Sequence, residues 1–561
     1  MLLKRRLQVC VASCSINCPT GAGLWGMIHG PLPDAMINAL PALPKPLQSE
    51  MVDGENNPVM LDSVYALRRE DDVAGLVAAI RSAHGQDVLL LPLSARSGGS
   101  GIFQVTPPAG QPVAGIAIEP ATTARVSTSS QPALADIALD EVIICPERNE
   151  ILAGAGITLD QLNRALNEAL GAGYRVLGAD LTSYTYAQVG ATYLTGGMGP
   201  QRRYFSDSVI EAVLFDGDDF HHLLGAAVDD HAGTYGWSGL VTGVRCRYVN
   251  VPPREIAFAL PADSDPRSLA ALLDRLAPWC FLDPEGSTLV NRSGGNNLIM
   301  GIEHVTIDAM GPMLAAGADN AINRRAAILA DKCRSAGCDG LVFVNGYIVD
   351  EPEEFLASLL DNADGDSLTI AGIDLAHSEL FDDPEVMRAV REAIPAAART
   401  QAPRGRFVFK GHTDATIRLD PDNVADGAGR LWQINRTYVA ALSEFFANHG
   451  DVDGQVLVYG HMNPWGVDPH NRLTFASNDQ KAYEEAVNRV HGFMADFYSS
   501  LNQLCVGGQG QFIGGEKGAA SEREILTAFP DMASAPATLV AKLGRQQQVI
   551  REAPQCFNWR A

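Results

Sequence analysis

Apolar residues recur along the chain with two periods, and each period marks out elements. Val73, Leu76, Val77 and Ile80 share one face at helical spacing, and the apolar run Val88 to Pro92 follows, so a helix leading into a buried strand opens the first globular unit. Ile116 to Ile118 and Val142 to Ile144 read as further buried strands, and Ile151 to Gly156 closes another. Thr158 is placed to cap a helix that carries Leu159, Leu162, Leu166 and Leu170, with Asp160 and Gln161 in its first turn. Residues 1–50 hold neither period and read as an irregular lead-in, while 107–140, rich in Pro, Ser, Thr and Ala, reads as a long surface loop.

The texture changes after Pro252-Pro253. Helices over Leu269 to Leu276 and Ala321 to Lys332 then alternate with strands over Leu298 to Ile302 and Gly340 to Val344. The last third carries two long helices, Arg430 to Asn448 and Gln480 to Leu504, around a short strand, Val456 to Tyr459. The expected organisation is an extension over 1–55, a first domain over 56–252, a second over 253–455, and a segment over 456–561 that completes the active site and packs back on the first domain. The fold class expected is α+β.

Composition narrows the partners. With 561 residues and a net charge of −24, the chain has material for several packed units and is repelled by polyanions, which excludes nucleic acid and an anionic membrane face as partners. No run of about 18 apolar residues occurs, so no transmembrane helix is expected. Ten scattered Cys fit a reducing compartment, and a cytoplasmic protein, at most peripheral to an inner membrane, is the expectation. Cys10, Cys14 and Cys18 depart from the ferredoxin spacing, and the apolar run after Lys4-Arg5-Arg6 is too short for a secretory signal.

Three glycine-rich segments each follow an apolar strand: Arg96-Ser97-Gly98-Gly99-Ser100-Gly101, Tyr193 to Pro200 around Gly196-Gly197, and Gly233 to Thr242. Glycines let successive amides approach a pyrophosphate closely, which suits an acidic protein that must hold an anionic dinucleotide by backbone dipoles. Neither a dinucleotide fingerprint opening a helix nor a P-loop is present. Taken in order with Ala153 to Thr158, Gly178 to Ser183, Val189-Gly190 and Asp207 to Val209, these segments resemble the PCMH-type FAD-binding domain of the vanillyl-alcohol oxidase superfamily over about residues 60–250. The resemblance implies a two-subdomain FAD-binding domain followed by a substrate domain with an antiparallel sheet flanked by helices. It implies cofactor contacts from Arg96, Ser97, Gly98, Gly99, Ser100, Gly101, Asp180, Thr182, Ser183, Gly190, Gly196, Gly197, Gly239 and Val241. Ser100 stands where covalent members often carry His, so non-covalent FAD is expected.

A second constellation lies near the C-terminus. Two imidazoles and a carboxylate, His461, His470 and Glu516, could supply three ligands to Zn2+ or Mn2+ acting as a Lewis acid, or the two His could be hydrogen-bonded turn residues. The segments around them resemble the D-2-hydroxyacid dehydrogenase branch, in which the three matching positions bind the metal. That resemblance also implies that Arg391 and Lys410 grip a substrate carboxylate. Lys517 replaces the branch's proton-accepting His and needs a lowered pKa to act as base, which makes His412 a second candidate.

The expected activity is therefore oxidation of the CH–OH carbon of a small anionic 2-hydroxyacid, with electrons passing to a quinone, cytochrome or flavoprotein, in a monomer or homodimer. Two alternatives stand beside it: a metal-free flavoenzyme acting on an alcohol or phenol, and a flavin-binding partner subunit without turnover of its own.

Overall fold

The structure is a computed structural model that describes residues 61–67, 73–93, 111–181, 183–282, 288–316, 320–360, 369–370, 373–374, 378–400, 403–413, 416–420, 422–464, 466–514, 537–553 and 557. For His412 only the backbone is described. The expected loop Arg96 to Gly101, Thr182, Glu516 and Lys517 lie outside these residues.

Helix α1 (Val73–His84) links β1 (Ser63–Leu67) to β2 (Leu89–Leu93), and β3 (Val113–Ile118) inserts between them in a parallel sheet of order β1-β3-β2. The parallel arrangement requires a crossover, which α1 supplies while burying Val73, Val77 and Ile80. A six-stranded sheet follows, of order β4-β5-β6-β10-β8-β9. It is built from β4 (Arg125–Thr128), β5 (Glu141–Cys145), β6 (Glu150–Gly154), β8 (Val209–Phe215), β9 (Phe220–Leu224) and β10 (Leu240–Arg247). Between them run α2 (Leu159–Leu170), the short strand β7 (Tyr174–Arg175), α3 (Val189–Thr195) and α4 (Ala226–His231), and β7 pairs with β11 (Val249–Asn250).

Local chemistry accounts for these elements. Thr158 Oγ1 accepts from the amide of Gln161, and Gln161 Oε1 accepts from the amide of Thr158, a complete capping box that starts α2. Residues 107–140 are a loop only in part. β3 lies inside them, and so does β4, an exposed edge strand whose Ser and Thr resemble loop composition.

The second domain is one nine-stranded sheet of order β17-β12-β14-β13-β20-β21-β19-β22, with β18 also paired to β21. In chain order its parts are β12 (Arg254–Ala262), α5 (Pro266–Leu276), β13 (Leu298–Thr306), α6 (Ile307–Ala315), α7 (Ala321–Ser335), β14 (Gly340–Ile348) and α8 (Pro352–Leu360). A small hairpin of β15 (Thr369–Ile370) and β16 (Ile373–Asp374) precedes β17 (Glu379–Phe381), α9 (Pro384–Thr400), β18 (Phe407–Thr413) and β19 (Thr416–Leu419). The chain ends with α10 (Val424–Asn448), β20 (Asp453–Asn463), β21 (Gly466–Ser477), α11 (Gln480–Val506), β22 (Gly510–Gly514) and α12 (Ala537–Glu552). Residue 455 falls within β20, so the strands on either side of the boundary expected there belong to one sheet.

Apolar side chains on the two faces of this sheet form separate cores. Phe258, Ile302, Val344 and Phe475 pack under α5, α10 and α11, while Ala259, Val305, Leu341 and Phe343 pack under α6, α7 and α9. Helix α12 returns to the first domain, where Arg545 pairs with Asp230 at 2.6 Å and Lys542 lies over the Tyr204 ring. Among the described residues, no helix is long and apolar enough to cross a membrane.

His304, on β13, is 1% exposed and meets Trp432 edge to face. Burial, opposed only by Asp339, pushes its imidazole down to about 4. Protonation therefore favours the unfolded chain, so this part of the stability is full above the ordinary pKa of about 6.5 and is lost as pH falls towards 4. The loss should approach about 1.4 kcal/mol per pH unit in that window, and His304→Gln should flatten it. Denaturant titrations of both proteins between those limits measure the difference, and equal slopes would contradict the assignment.

Candidate active site

The two subdomains of the first domain meet at a groove. Ala155, after β6, and Phe215 and Leu240, at strand ends of the second sheet, pack against the first sheet's core and close its base. Pro92, Leu93, Ile118, Ala155, Gly190 and Val241 line the groove. Gly190 permits the contact, since a Cβ there would sit 2.9 Å from the Ala155 Cβ. Gly239 adopts a left-handed φ of 144°, and a Cβ there would lie 2.6 Å from the Phe215 carbonyl oxygen. Gly196 ends α3 in the left-handed region, Gly197 abuts Leu181, and the Ser183 carbonyl accepts the amides of Tyr186 and Ala187 in a tight turn. Gln188 also lines the groove. Its Nε2 donates to the Ile118 carbonyl, while its buried Oε1 has no hydrogen-bond partner among the described residues. The described lining, apolar with one orphaned amide oxygen, offers a dinucleotide of FAD's kind a wall and one acceptor, a seat for part of such a group.

The second domain's sheet presents a polar row. Glu303 on β13 is the register partner of His461 on β20, and His461 that of Asp468 on β21, so the three side chains share one face. All three are buried, Asp468 completely. Asp468 Oδ1 accepts from the backbone amide of His461 at 3.0 Å and lies 3.0 Å from His461 Nδ1. His470, two residues further along the strand and so on the same face, brings its Nδ1 to 3.9 Å from Asp468 Oδ2.

The cation that answers Asp468 comes from the first domain. Arg202 is 1% exposed, and its Nη2 lies 3.1 Å from Asp468 Oδ2 and also donates to Thr416 Oγ1. Its Nη1 lies 3.0 Å from His461 Nδ1. The backbone carrying it is left-handed, with φ 53°. Two sheet glycines admit it, since a Cβ on Gly301 would sit 2.8 Å from Pro200 and one on Gly466 3.1 Å from the Arg202 Cβ. Burial alone would raise the Asp468 carboxyl, but Arg202 and His461 more than offset it and hold it well below the usual carboxylate range. Burial lowers His470, with Asp468 opposing.

The other expected site residues fall nearby. Arg391, on α9, is buried and donates from Nε to Glu303 Oε2 at 2.7 Å, so it is not a helix-surface charge. Burial works to lower its pKa, yet Glu303 and Asp180 raise it. Asp180 is turned towards the second domain, where its carboxylate accepts from Asn345 Nδ2 at 3.1 Å and stands 4.0 Å from Arg388. Arg388 also pairs with Glu255, and Tyr184 donates to Glu385, tying the 178–186 segment to α9. On β18, Lys410 is the register partner of Thr474 and His412 that of Arg472.

The expected ligand set is described only in part, since Glu516 lies outside the described residues, and these contacts bear on its two His. Arg202's guanidinium already engages His461 Nδ1 and Asp468, and among the described residues no three His, Cys, Asp or Glu side chains converge as a ready ligand set. The donors present do not fit a divalent ion while Arg202 stays in place. Arg202, Glu303 and Asp468 escaped the sequence reading. The signals were the pair Arg202-Arg203, one residue after Gly199-Pro200 in an acidic chain, and Asp468 two residues before His470, the strand spacing that puts both on one face.

No protein-family model and no curated protein matches the chain. Among solved structures, alkyldihydroxyacetonephosphate synthase is similar in two crystal forms. One is 12% identical over 78% of this chain and 71% of that one, with a TM-score of 0.52. The other is 12% identical over 79% and 75%, with a TM-score of 0.51. Berberine bridge enzyme from Eschscholzia californica aligns over 98% of this chain and 97% of its own at 12% identity, with a TM-score of 0.47. Likeness at such identity extends to the fold. The chain has a mixed helix-and-sheet, two-domain fold like that of alkyldihydroxyacetonephosphate synthase, and nothing in the likeness singles out the 2-hydroxyacid branch.

Because Glu303 answers Arg391, removing the guanidinium strands a buried carboxylate. Arg391→Met should cost about 3–5 kcal/mol of stability, and Glu303→Gln in the same chain should restore most of it. A double-mutant cycle in urea measures the coupling; additive losses would show that the pair carries no such dependence.

Proposed function

We propose that this protein is an FAD-dependent oxidoreductase that oxidises the CH–OH carbon of an uncharged alcohol without a metal. The observation that carries this reading is the His461–Asp468–Arg202 arrangement. In the tautomer that carries its proton on Nδ1 and directs it to Asp468, so that Nδ1 accepts nothing from Arg202, His461 keeps a lone pair on Nε2, and that atom is buried with no hydrogen-bond partner among the described residues. His461 then accepts the substrate's hydroxyl proton, while Asp468 holds the ring in place. Bound FAD, held by Gly190, Gly239, Val241 and Gln188, supplies the two-electron acceptor. The electrons go on to a quinone, cytochrome or flavoprotein.

The balance of charge favours an uncharged substrate. Arg391 is answered by Glu303 and Arg202 by Asp468, which leaves neither guanidinium available as an excess cation for a carboxylate. The fold by itself assigns no reaction, since one fold hosts many chemistries. A second reading, a D-2-hydroxyacid as substrate with Lys410 meeting its carboxylate, is favoured by the place of Lys410 on β18, a strand paired to β21.

Anaerobic mixing of the FAD-loaded protein with a panel of alcohols, phenols and D-2-hydroxyacids, with and without EDTA, tests the reading. Bleaching by an alcohol or phenol that EDTA leaves intact is expected, and His461→Gln should slow it by about 100-fold or more at unchanged flavin content. Bleaching only by a hydroxyacid, abolished by EDTA, would transfer the case to the second reading. No bleaching by any member, although dithionite reduces the flavin, would leave a partner subunit without turnover of its own.

A further inference from the structure

Asp468 is fully buried, and a buried carboxylate needs a positive charge beside it. Two kinds of cation could meet that need between His461 and His470: a divalent metal or a guanidinium. The chain supplies the second. Arg202 reaches across from the first domain in a left-handed backbone conformation, through space that Gly301 and Gly466 leave open. Its two terminal nitrogens lie 3.0 Å from His461 Nδ1 and 3.1 Å from Asp468 Oδ2, and Thr416 Oγ1 accepts from one of them.

We infer that Arg202 is a built-in cation that stands where a metal would otherwise join His461, Asp468 and His470, and that it is a positioning residue for His461. This deepens the functional reading above and rests on it only for the role of His461. A guanidinium has donors and no coordination position to open, so it cannot take a substrate oxygen as a Lewis acid does. Instead it fixes the carboxylate, and the carboxylate fixes the imidazole. Removing the guanidinium leaves Asp468 with His461 Nδ1 at 3.0 Å and His470 Nδ1 at 3.9 Å, donors of the kinds Zn2+ takes once the side chains close into the vacated space.

The test uses the full-length, FAD-loaded protein after dialysis against EDTA. Zinc content is read by mass spectrometry and zinc affinity by calorimetry, for the native chain, Arg202→Lys, Arg202→Ala, and Arg202→Ala combined with His461→Ala. The native chain and Arg202→Lys are expected to hold less than about 0.1 equivalent, while Arg202→Ala takes up about one equivalent, roughly 100-fold more tightly than the native chain. The added His461→Ala should remove that gain. Stoichiometric zinc in the native chain, or no gain in affinity in Arg202→Ala, overturns the inference. Should Arg202→Ala fail to fold, the metal content of the native chain and of Arg202→Lys decides: zinc-free supports it and zinc-loaded overturns it. Zinc is read with no substrate present, so a flavin that no alcohol bleaches would sink the functional reading and leave this result to be judged separately.

Discussion

The structure turns on one buried ion pair, Arg202 with Asp468. Each partner belongs to a different domain, and each is almost completely withdrawn from water. Taking both charges out of solvent is costly, and losing one partner costs about 3–5 kcal/mol because the other is stranded. Nearby features serve that contact. Gly301 and Gly466 are bare where Pro200 and Arg202 approach, Thr416 accepts a guanidinium proton, and the backbone at Arg202 takes a conformation that non-glycine residues rarely adopt. This pairing joins the two domains alongside the apolar contacts of Leu177, Val249 and Val251 with Phe281, Leu298 and Met300.

The same pair sets the character of the site. A chain of net charge −24 would need local attraction to take an anionic dinucleotide, and the groove offers Gly190 and Gly236 in its lining, where a ligand can approach the backbone. In the row on the second sheet, charges cancel in pairs: Arg391 with Glu303, Arg202 with Asp468. The buried Nε2 of His461 is among the atoms without a hydrogen-bond partner among the described residues. A site of that kind handles a proton more readily than it gathers an anion.

Much of the fold was legible because its signals are local. The capping box at Thr158, the helical face of Val73, Val77 and Ile80, and the runs at Val142 and Gly340 each carry their element within a dozen residues. The exposed edge strand β4 was not, since Arg125 to Thr128 bury little and offer no apolar alternation. At the site, His461 and His470 stood out by residue type, and Arg391 by its helix. Their partners did not, because Arg202 and Asp468 are 266 positions apart and only the packing of one domain on the other makes them neighbours. Arg391 could be found without its partner, for Glu303 lies on a strand whose pairing no local pattern discloses.

X-ray diffraction from crystals of the FAD-loaded protein, with data collected on both sides of the zinc and manganese absorption edges, tests the central claim most directly. The expected result is continuous density for the Arg202 guanidinium against Asp468 and His461, with no anomalous peak between His461 and His470. An anomalous peak there, with the guanidinium displaced, would contradict it.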